Sequence, residues 1–359
     1  MKIAILTKSC KYFAAPYLAK ALNADLYALD HTQNNFFDIE CNVKRLSKDV
    51  GIKCDHLIII GTRALLDAER KINLRRYKTV AVIFSDTTCA RLEKKWKEIV
   101  KKYNIFTYAM PDLMQYCLED TVPVFQTITL PDMSINKSDD KIVISHSPGL
   151  KGEFKGTSFI ECELEKLKKK YDFDFNVSTD ATWIDCLKTK ASANIFIDQI
   201  TLGNEEIDQN RFRNKKKYLG VVGKSGLEAM LLSCCTISGC PEFKTDKYFP
   251  CPPVIFTSYK KFKKDLEKLL KDKILIKTIA QEQKEWAEKY LSPEFVAMHI
   301  TRHINKKYVI VVDFNQPITS KRLYLVDTEI GEIILSDYVG HSPKNGLIYP
   351  TNFFTKFSK

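Results

Sequence analysis

The sequence predicts an α/β fold with two parallel-sheet domains and a small β-rich C-terminal extension. Three observations predict it. Short apolar runs alternate with helix-like spacing along most of the chain, a polar stretch interrupts this alternation near the middle, and the last residues alternate with a period of two. Alternating strands and helices are typical of parallel sheets covered by helices. A length of 359 residues also exceeds that of one average domain.

The first half begins with an apolar strand at residues 2–6 and a helix-like pattern at residues 14–22. Later apolar runs predict more strands, and apolar positions three or four residues apart predict helices between them. The remaining predicted strands of this half are residues 26–29, 56–60, 79–84, 104–109 and 125–130, and the helices are residues 64–72 and 90–102. We assign residues 1–138 to the first domain.

A polar stretch at residues 133–140 marks a boundary, after which the alternation resumes. The predicted strands of the second half are residues 141–145, 174–177, 193–198 and 235–238, and the helices are residues 158–171, 181–189, 226–232 and 259–271. A longer helical region follows, in which Pro293 should start or kink a helix. We assign residues 139–275 to a second domain, residues 276–305 to this helical segment and residues 306–359 to a β-rich appendage.

The composition predicts a cytoplasmic protein and is compatible with anionic partners. No apolar run reaches the ~18 residues of a membrane span and no export signal is evident, so we expect the cytoplasm, or the host cytoplasm if the protein is viral. A formal net charge of +12 is compatible with a polyanionic acceptor, an anionic membrane surface contacted peripherally, or a nucleotide diphosphate. The eleven cysteines should be reduced thiols. The spacing of Cys234, Cys235, Cys240 and Cys251 matches no common zinc site, so we expect no metal.

The densest chemical signal follows the first strand of the second half. His146 stands at the strand end, and Lys155, Gly156 and Thr157 open the next helix. Glycine lets the backbone approach a phosphate, a helix N-terminus offers free N–H donors, and lysine adds positive charge. These three residues therefore predict a diphosphate cradle, and the alternative is an ordinary helix start, since many helices begin with such residues. His146 either faces the departing phosphate in a catalytic role or has a structural role at the strand end.

A second signal combines a strand-end carboxylate with a glycine-rich turn. Asp198 ends one predicted strand, and the turn then enters a helix that carries Glu228. The residues of this turn that we assign to ligand binding are Gly223, Ser225, Gly226 and Leu227. Glu228 either complements the helix dipole or accepts hydrogen bonds from ribose hydroxyls.

Together these motifs resemble the donor-binding domain of GT-B glycosyltransferases over residues 141–238. The resemblance implies two Rossmann-like domains that face a cleft, with residues 276–305 packing back on the first domain. It also implies a nucleotide-sugar donor, most simply a UDP-sugar, with no required cofactor and with transfer that retains configuration. In this family Glu228 would hold the donor ribose and Lys155 would meet the diphosphate.

The first domain departs from that family because its first loop lacks the glycine pair that many relatives carry. Its acceptor chemistry therefore rests on polar residues after predicted strands, which are Thr62, Arg63, Ser85, Asp86 and Asp112. We choose Asp86 for a catalytic or acceptor-orienting role. The alternative is an Asx turn or a helix cap before the next helix.

A basic segment at residues 210–218 lies in a loop expected to border the donor cleft. The basic residues that we assign to acceptor phosphates are Arg211, Arg213, Lys215 and Lys216. The alternative is a solvated loop. The acceptor that we favour is a hydroxymethylated base in DNA, as in phage-type DNA glycosylation, followed by a cell-envelope saccharide or lipid-linked acceptor. A noncatalytic protein that binds nucleotide sugars or glycans is the alternative of another class.

The C-terminal residues resemble a different protein family from the rest of the chain. Residues 311–314, 321–327 and 339–341 resemble the opening strands of L,D-transpeptidase-like catalytic domains. Such a domain needs a nucleophilic cysteine, and no cysteine follows Cys251. We therefore expect no transpeptidase activity and predict a β appendage for acceptor binding or assembly, with His341 as a relic or a contact residue.

Overall fold

The computed structural model describes residues 2–8, 14–29, 43–46, 52–85, 88–148, 155–179, 181–200, 222–239, 248–304, 308–312, 321, 323–327 and 332–337. The chain forms two compact units, Met1–Met298 and His299–Lys359. Within the described part, no helix is both long enough and apolar enough to span a bilayer.

The first unit begins with a parallel sheet of seven strands. The strands are β1 (Ile3–Thr7), β2 (Asp25–Ala28), β3 (Val43–Arg45), β4 (His56–Ile60), β5 (Thr79–Phe84), β6 (Phe106–Ala109) and β7 (Val122–Pro123). Their order in the sheet is β3-β2-β1-β4-β5-β6-β7, and every neighbouring pair is parallel. The central strands β1 and β4 are buried along their whole length, which explains their continuous apolar sequences.

The α-helices described between these strands lie at the sheet's connections. They are α1 (Ala15–Ala21), α2 (Thr62–Lys71), α3 (Thr88–Arg91) and α4 (Glu93–Tyr103). Helix α4 buries Trp96 against Phe84 of β5, with ring centroids 4.5 Å apart. The Trp96 indole N–H donates to the Cys89 carbonyl at 2.8 Å, so the polar atom of this buried ring is satisfied. This contact packs α4 against the carboxyl end of β5.

The first unit continues with a parallel sheet of five strands. The strands are β8 (Ile142–His146), β9 (Phe173–Val177), β10 (Ile195–Ile197), β11 (Cys235–Ser238) and β12 (Ile255–Phe256). Their order is β12-β11-β10-β8-β9. The helices of this half are α5 (Thr157–Lys168), α6 (Trp183–Ser192), α7 (Lys224–Leu231), α8 (Phe262–Leu270), α9 (Lys273–Tyr290) and α10 (Pro293–Ile304). Pro293 starts α10, as predicted, because a first-turn proline sacrifices no intrahelical hydrogen bond.

Helix α9 is fastened to the second sheet by the fully buried side chain of Gln283. Its carbonyl oxygen accepts from the Thr236 amide at 2.7 Å, and its amide nitrogen donates to the carbonyls of Thr236 and Pro253 at 3.1 and 3.0 Å. Each polar atom of the buried side chain is therefore paired.

The strand predicted at residues 125–130 is wrong. The structure has only the two-residue β7 before it, and residues 124–131 follow an irregular path. Phe125 packs edge-on against Trp286 at 5.3 Å, and the Ile128 amide donates to the Leu291 carbonyl at 3.0 Å. The apolar residues of this segment are buried against the end of α9 and not within a sheet.

The second unit contains an antiparallel sheet of three strands. They are β13 (Tyr308–Val312), β14 (Leu323–Asp327) and β15 (Glu332–Asp337), with β14 in the centre and a register shift at Leu325/Val326. The predicted fold class is confirmed: two parallel α/β sheets are followed by a small β-rich part. Our finer domain boundaries at residues 138, 275 and 305 stay predictions.

Candidate functional site

The carboxyl ends of β8, β10 and β11 and the N-termini of α5 and α7 meet at one edge of the second sheet. Asp198, which follows β10, is fully buried at their centre. Its Oδ2 accepts from the Gly223 amide at 2.6 Å, and its Oδ1 lies 3.2 Å from the Lys155 Nζ. Asp198 therefore connects the starts of both helices to the strand end. These contacts favour an organising role for Asp198, and its predicted contact with a donor stays a prediction.

The glycines of both turns lie where a side chain would collide. Gly156 has φ +73°, and a Cβ there would strike the Ile200 carbonyl. A Cβ on Gly223 would lie 3.0 Å from the Asp198 Oδ1, and one on Gly226 would lie 2.9 Å from Val222 Cγ1. Glycine is therefore required at position 156, where φ is left-handed and the clash is with backbone, whereas a Cβ on Gly223 or Gly226 would press on side chains that must shift.

His146 is fully buried with both ring nitrogens bonded. Its Nδ1 donates to the Ile197 carbonyl at 2.8 Å, since a carbonyl can only accept, and its Nε2 lies 3.0 Å from the Thr157 Oγ1. Burial lowers the His146 pKa to about 4, and the Lys155 charge acts in the same direction. The neutral ring thus accepts from the Thr157 hydroxyl and orients the first residue of α5. These contacts favour positioning, and the predicted catalytic role stays a prediction.

Glu228 is nearly buried, and both of its carboxylate oxygens have partners. Oε2 lies 2.6 Å from the Lys190 Nζ, while Oε1 accepts from the Trp183 indole N–H at 2.9 Å and lies 3.6 Å from the Lys224 Nζ. A donor ribose would have to share this carboxylate with Trp183 and Lys224. Sequence reasoning missed Lys190 and Trp183 as partners of Glu228. A lysine on a helix is ordinarily exposed, so Lys190 gave no sign of its burial.

Leu227 and Ser225 complete the predicted turn. Leu227 is fully buried in the apolar cluster that contains Phe125 and Trp286, so its side chain belongs to the core. Ser225 is partly exposed in the first turn of α7. The turn can therefore offer its backbone and Ser225 to a ligand, but not the Leu227 side chain.

Two buried hydroxyls at this edge lack hydrogen-bond partners within the described part of the chain. They belong to Ser147, which follows β8, and Ser238, which ends β11. A buried hydroxyl without a partner costs free energy, which a ligand or a water molecule can recover. Sequence reasoning missed both, although their positions at strand ends were visible.

The remaining predicted site residues fall into two groups. Asp86 and the basic residues Arg211, Arg213, Lys215 and Lys216 lie outside the described residues, as does the Asp112 side chain. Thr62 starts α2 after β4, Arg63 follows it, and Ser85 follows β5. The structure thus brings Thr62, Arg63 and Ser85 to one edge of the first sheet.

The edge of the second sheet is suited to bind an anion. Two helix N-termini point their positive dipole ends at it, neither is capped by its N-cap side chain, and Lys155 and Lys224 stand beside them. The Lys224 side chain is 38% exposed, so its ammonium can reach a ligand.

A comparison with protein families matches residues 282–358 to the L,D-transpeptidase catalytic domain family. This match covers the C-terminal part of the chain, which contains β13, β14 and β15. Among curated proteins, no match is found.

Three solved structures are similar to this chain over 85% of its length. An alpha-glucosyltransferase in complex with UDP and a mismatched 13-mer DNA has a TM-score of 0.55 at 12% identity, with 99% of that chain covered. HepE from Anabaena in complex with UDP and glucose has a TM-score of 0.55 at 10% identity, and 100% of that chain is covered. Sucrose-phosphate synthase from Thermosynechococcus elongatus has a TM-score of 0.52 at 10% identity, and 99% of that chain is covered. The chain therefore has the GT-B fold, followed by a segment similar to part of an L,D-transpeptidase catalytic domain.

Proposed function

We propose that this protein is a glycosyltransferase that moves a sugar from a UDP-sugar to an acceptor hydroxyl. The observation that carries the proposal is the pair of helix N-termini with Lys155 and Lys224 at the carboxyl edge of the second sheet. Open α/β sheets bind ligands at that edge. Two of the similar structures hold UDP, which supports a uridine diphosphate donor. In this proposal residues 1–138 form the acceptor side and residues 139–275 the donor side.

The site would act chiefly on the leaving group. The bond from the anomeric carbon to the β-phosphate oxygen breaks, a bond to the acceptor oxygen forms, and negative charge develops on the departing diphosphate. The N-termini of α5 and α7 and the ammonium of Lys224 would stabilise that charge. We propose retention of configuration, in which a donor phosphate oxygen takes the proton of the acceptor hydroxyl.

The acceptor that we favour is a hydroxymethylated base in DNA. The net charge of +12 supports it, because phosphate neutralisation dominates binding to nucleic acids. The fold likeness to an alpha-glucosyltransferase that was solved with DNA adds support. Arg211, Arg213, Lys215 and Lys216 remain the proposed contacts to the DNA backbone.

The test measures transfer from a panel of nucleotide sugars to oligonucleotides with hydroxymethylated or ordinary bases, followed by mass spectrometry. The informative variant is Lys224→Met, because Glu228 keeps Lys190 and Trp183 as partners when Lys224 is removed. The matched control is Lys166→Met, an exposed residue of α5 paired with Glu163.

We expect transfer to the modified oligonucleotide, with a donor KM that rises about tenfold in Lys224→Met and stays unchanged in the control. Donor hydrolysis without transfer to DNA would redirect the search to envelope saccharides and lipid-linked acceptors. Failure to bind or turn over any nucleotide sugar would refute the proposed function.

A further inference from the structure

The N-terminus of α2 lies at the carboxyl end of β4, in the middle of the first sheet. Gly61 precedes the helix with φ 96°, and its amide donates to the Ile83 carbonyl at 2.8 Å. No N-cap side chain accepts from the first turn, and that turn contains no acidic residue. The first N–H groups of a helix have no intrahelical acceptor, and together they carry its positive dipole end. This ten-residue helix therefore presents an uncapped, positive end.

Thr62, the first residue of α2, carries an unused hydroxyl at that end. The residue is 1% exposed, and its Oγ1 has no hydrogen-bond partner in the described part of the chain. A buried hydroxyl is ordinarily bonded, and each exception calls for an explanation such as an absent ligand. This observation is independent of the helix dipole and points to a ligand at the same place.

Ser85 provides a second unused hydroxyl on the neighbouring strand. The register of β4 and β5 ends with Ile60 opposite Ile83, and Thr62 and Ser85 each follow two residues after that pair. The Oγ of Ser85 is buried and also lacks a partner within the described residues. Parallel strands lie roughly 4.8 Å apart, so both hydroxyls belong to one small region of the sheet edge.

Arg63 supplies a full positive charge beside these groups. It is the second residue of α2, and its side chain is exposed. A guanidinium can donate two parallel hydrogen bonds to a phosphate, which a single helix end cannot do.

We propose that the N-terminus of α2, the hydroxyls of Thr62 and Ser85 and the Arg63 guanidinium bind a phosphate group of the acceptor. An anion fits this site better than a neutral sugar, because the helix end and Arg63 both favour negative charge. The inference rests on the proposed function, since it names a phosphate-bearing acceptor for that reaction. The phosphate could belong to a nucleic-acid backbone or to a phosphorylated sugar, and the test separates these sources.

The test compares Thr62→Val and Arg63→Gln with Arg70→Gln, an exposed arginine at the other end of α2. Thr62→Val keeps the shape of the side chain and removes only an unpaired hydroxyl, so the variant should fold. The acceptors are a hydroxymethylated oligonucleotide, the same oligonucleotide with a methylphosphonate beside the modified base, a hexose 6-phosphate and the unphosphorylated hexose. The KM for the UDP-sugar serves as the internal reference.

We expect the acceptor KM to rise about tenfold or more in Arg63→Gln and severalfold in Thr62→Val, with no change in Arg70→Gln. If the wild type and the variants have the same acceptor KM for the methylphosphonate oligonucleotide, the phosphate belongs to DNA. If the enzyme transfers to hexose 6-phosphate but not to the hexose, the phosphate belongs to a sugar phosphate. Equal transfer to phosphorylated and unphosphorylated acceptors, or an unchanged acceptor KM in both variants, would overturn this inference while transfer itself persists. Absence of any donor turnover would instead refute the proposed function.

Discussion

Loss of one charge from the buried ion pair between Lys190 and Glu228 should destabilise the protein around α6 and α7. The two side chains are 1% and 4% exposed, and their charged atoms are 2.6 Å apart. In Lys190→Met the Glu228 carboxylate would keep only the Trp183 indole and the more distant Lys224 as partners. Removal of one partner from a buried pair costs about 3–5 kcal/mol when nothing else compensates the remaining charge, so we expect a loss near the lower end of this range.

A double-mutant cycle separates this pair from its surroundings. Glu228→Gln removes the negative charge but leaves an oxygen that can accept from Trp183. The double variant, Lys190→Met with Glu228→Gln, contains neither charge, so it should lose less stability than the sum of the single variants. The expected coupling energy is roughly 1–3 kcal/mol.

The assay is urea unfolding followed by circular dichroism. The control is Lys188→Met, an exposed lysine of the same helix that pairs with Asp185, for which we expect a change within about 0.5 kcal/mol. A Lys190→Met variant as stable as this control, or single changes that simply add, would refute the reasoning.

Two further predictions concern the edge of the second sheet. Burial lowers the His146 pKa from 6.5 to about 4, so between these pH values the histidine is protonated in the unfolded chain and neutral in the folded chain. The free energy of unfolding should therefore fall as the pH drops from 6.5 towards 4. The urea midpoint should depend less steeply on pH in His146→Gln than in the wild type. Equal slopes in the two proteins would contradict a buried, neutral His146 ring. Gly156→Ala should cost about 2 kcal/mol or more, since φ is +73° and the new Cβ meets the Ile200 carbonyl. Thermal unfolding measures this loss, with Ser158→Ala at an exposed position of α5 as the control. Equal melting temperatures of the two variants would contradict the predicted strain at Gly156.

The strands of both parallel sheets could largely be predicted from sequence. β4 and β5 read as short, continuous apolar runs because helices cover both faces of a central parallel strand. The segment at residues 125–130 has a similar apolar character, but its residues pack against Trp286 and Leu291. Apolar runs report burial and cannot distinguish a strand from a buried irregular segment.

The candidate site was predictable only in part. Lys155, Gly156 and Gly223 could be selected because phosphate cradles need glycine and positive charge near a helix start. The pairing of Lys190 with Glu228 could not, since the two residues are 38 positions apart and a helical lysine is ordinarily solvated. The contacts of His146 were equally hidden, because they depend on which backbone carbonyl lies beside it.

The sequence by itself determined the alternation of elements, the fold class and the loops in which chemistry is expected, because these depend on local periodicity and backbone freedom. Only the tertiary structure decided which polar groups pair. Asp198 joins Lys155 to Gly223, Glu228 pairs with the buried Lys190, and the hydroxyls of Thr62 and Ser85 find no partner among the described residues. Hydrogen bonds and ion pairs act over a few ångströms, so they are set by distances between residues far apart in the chain, and local sequence carries no record of those distances.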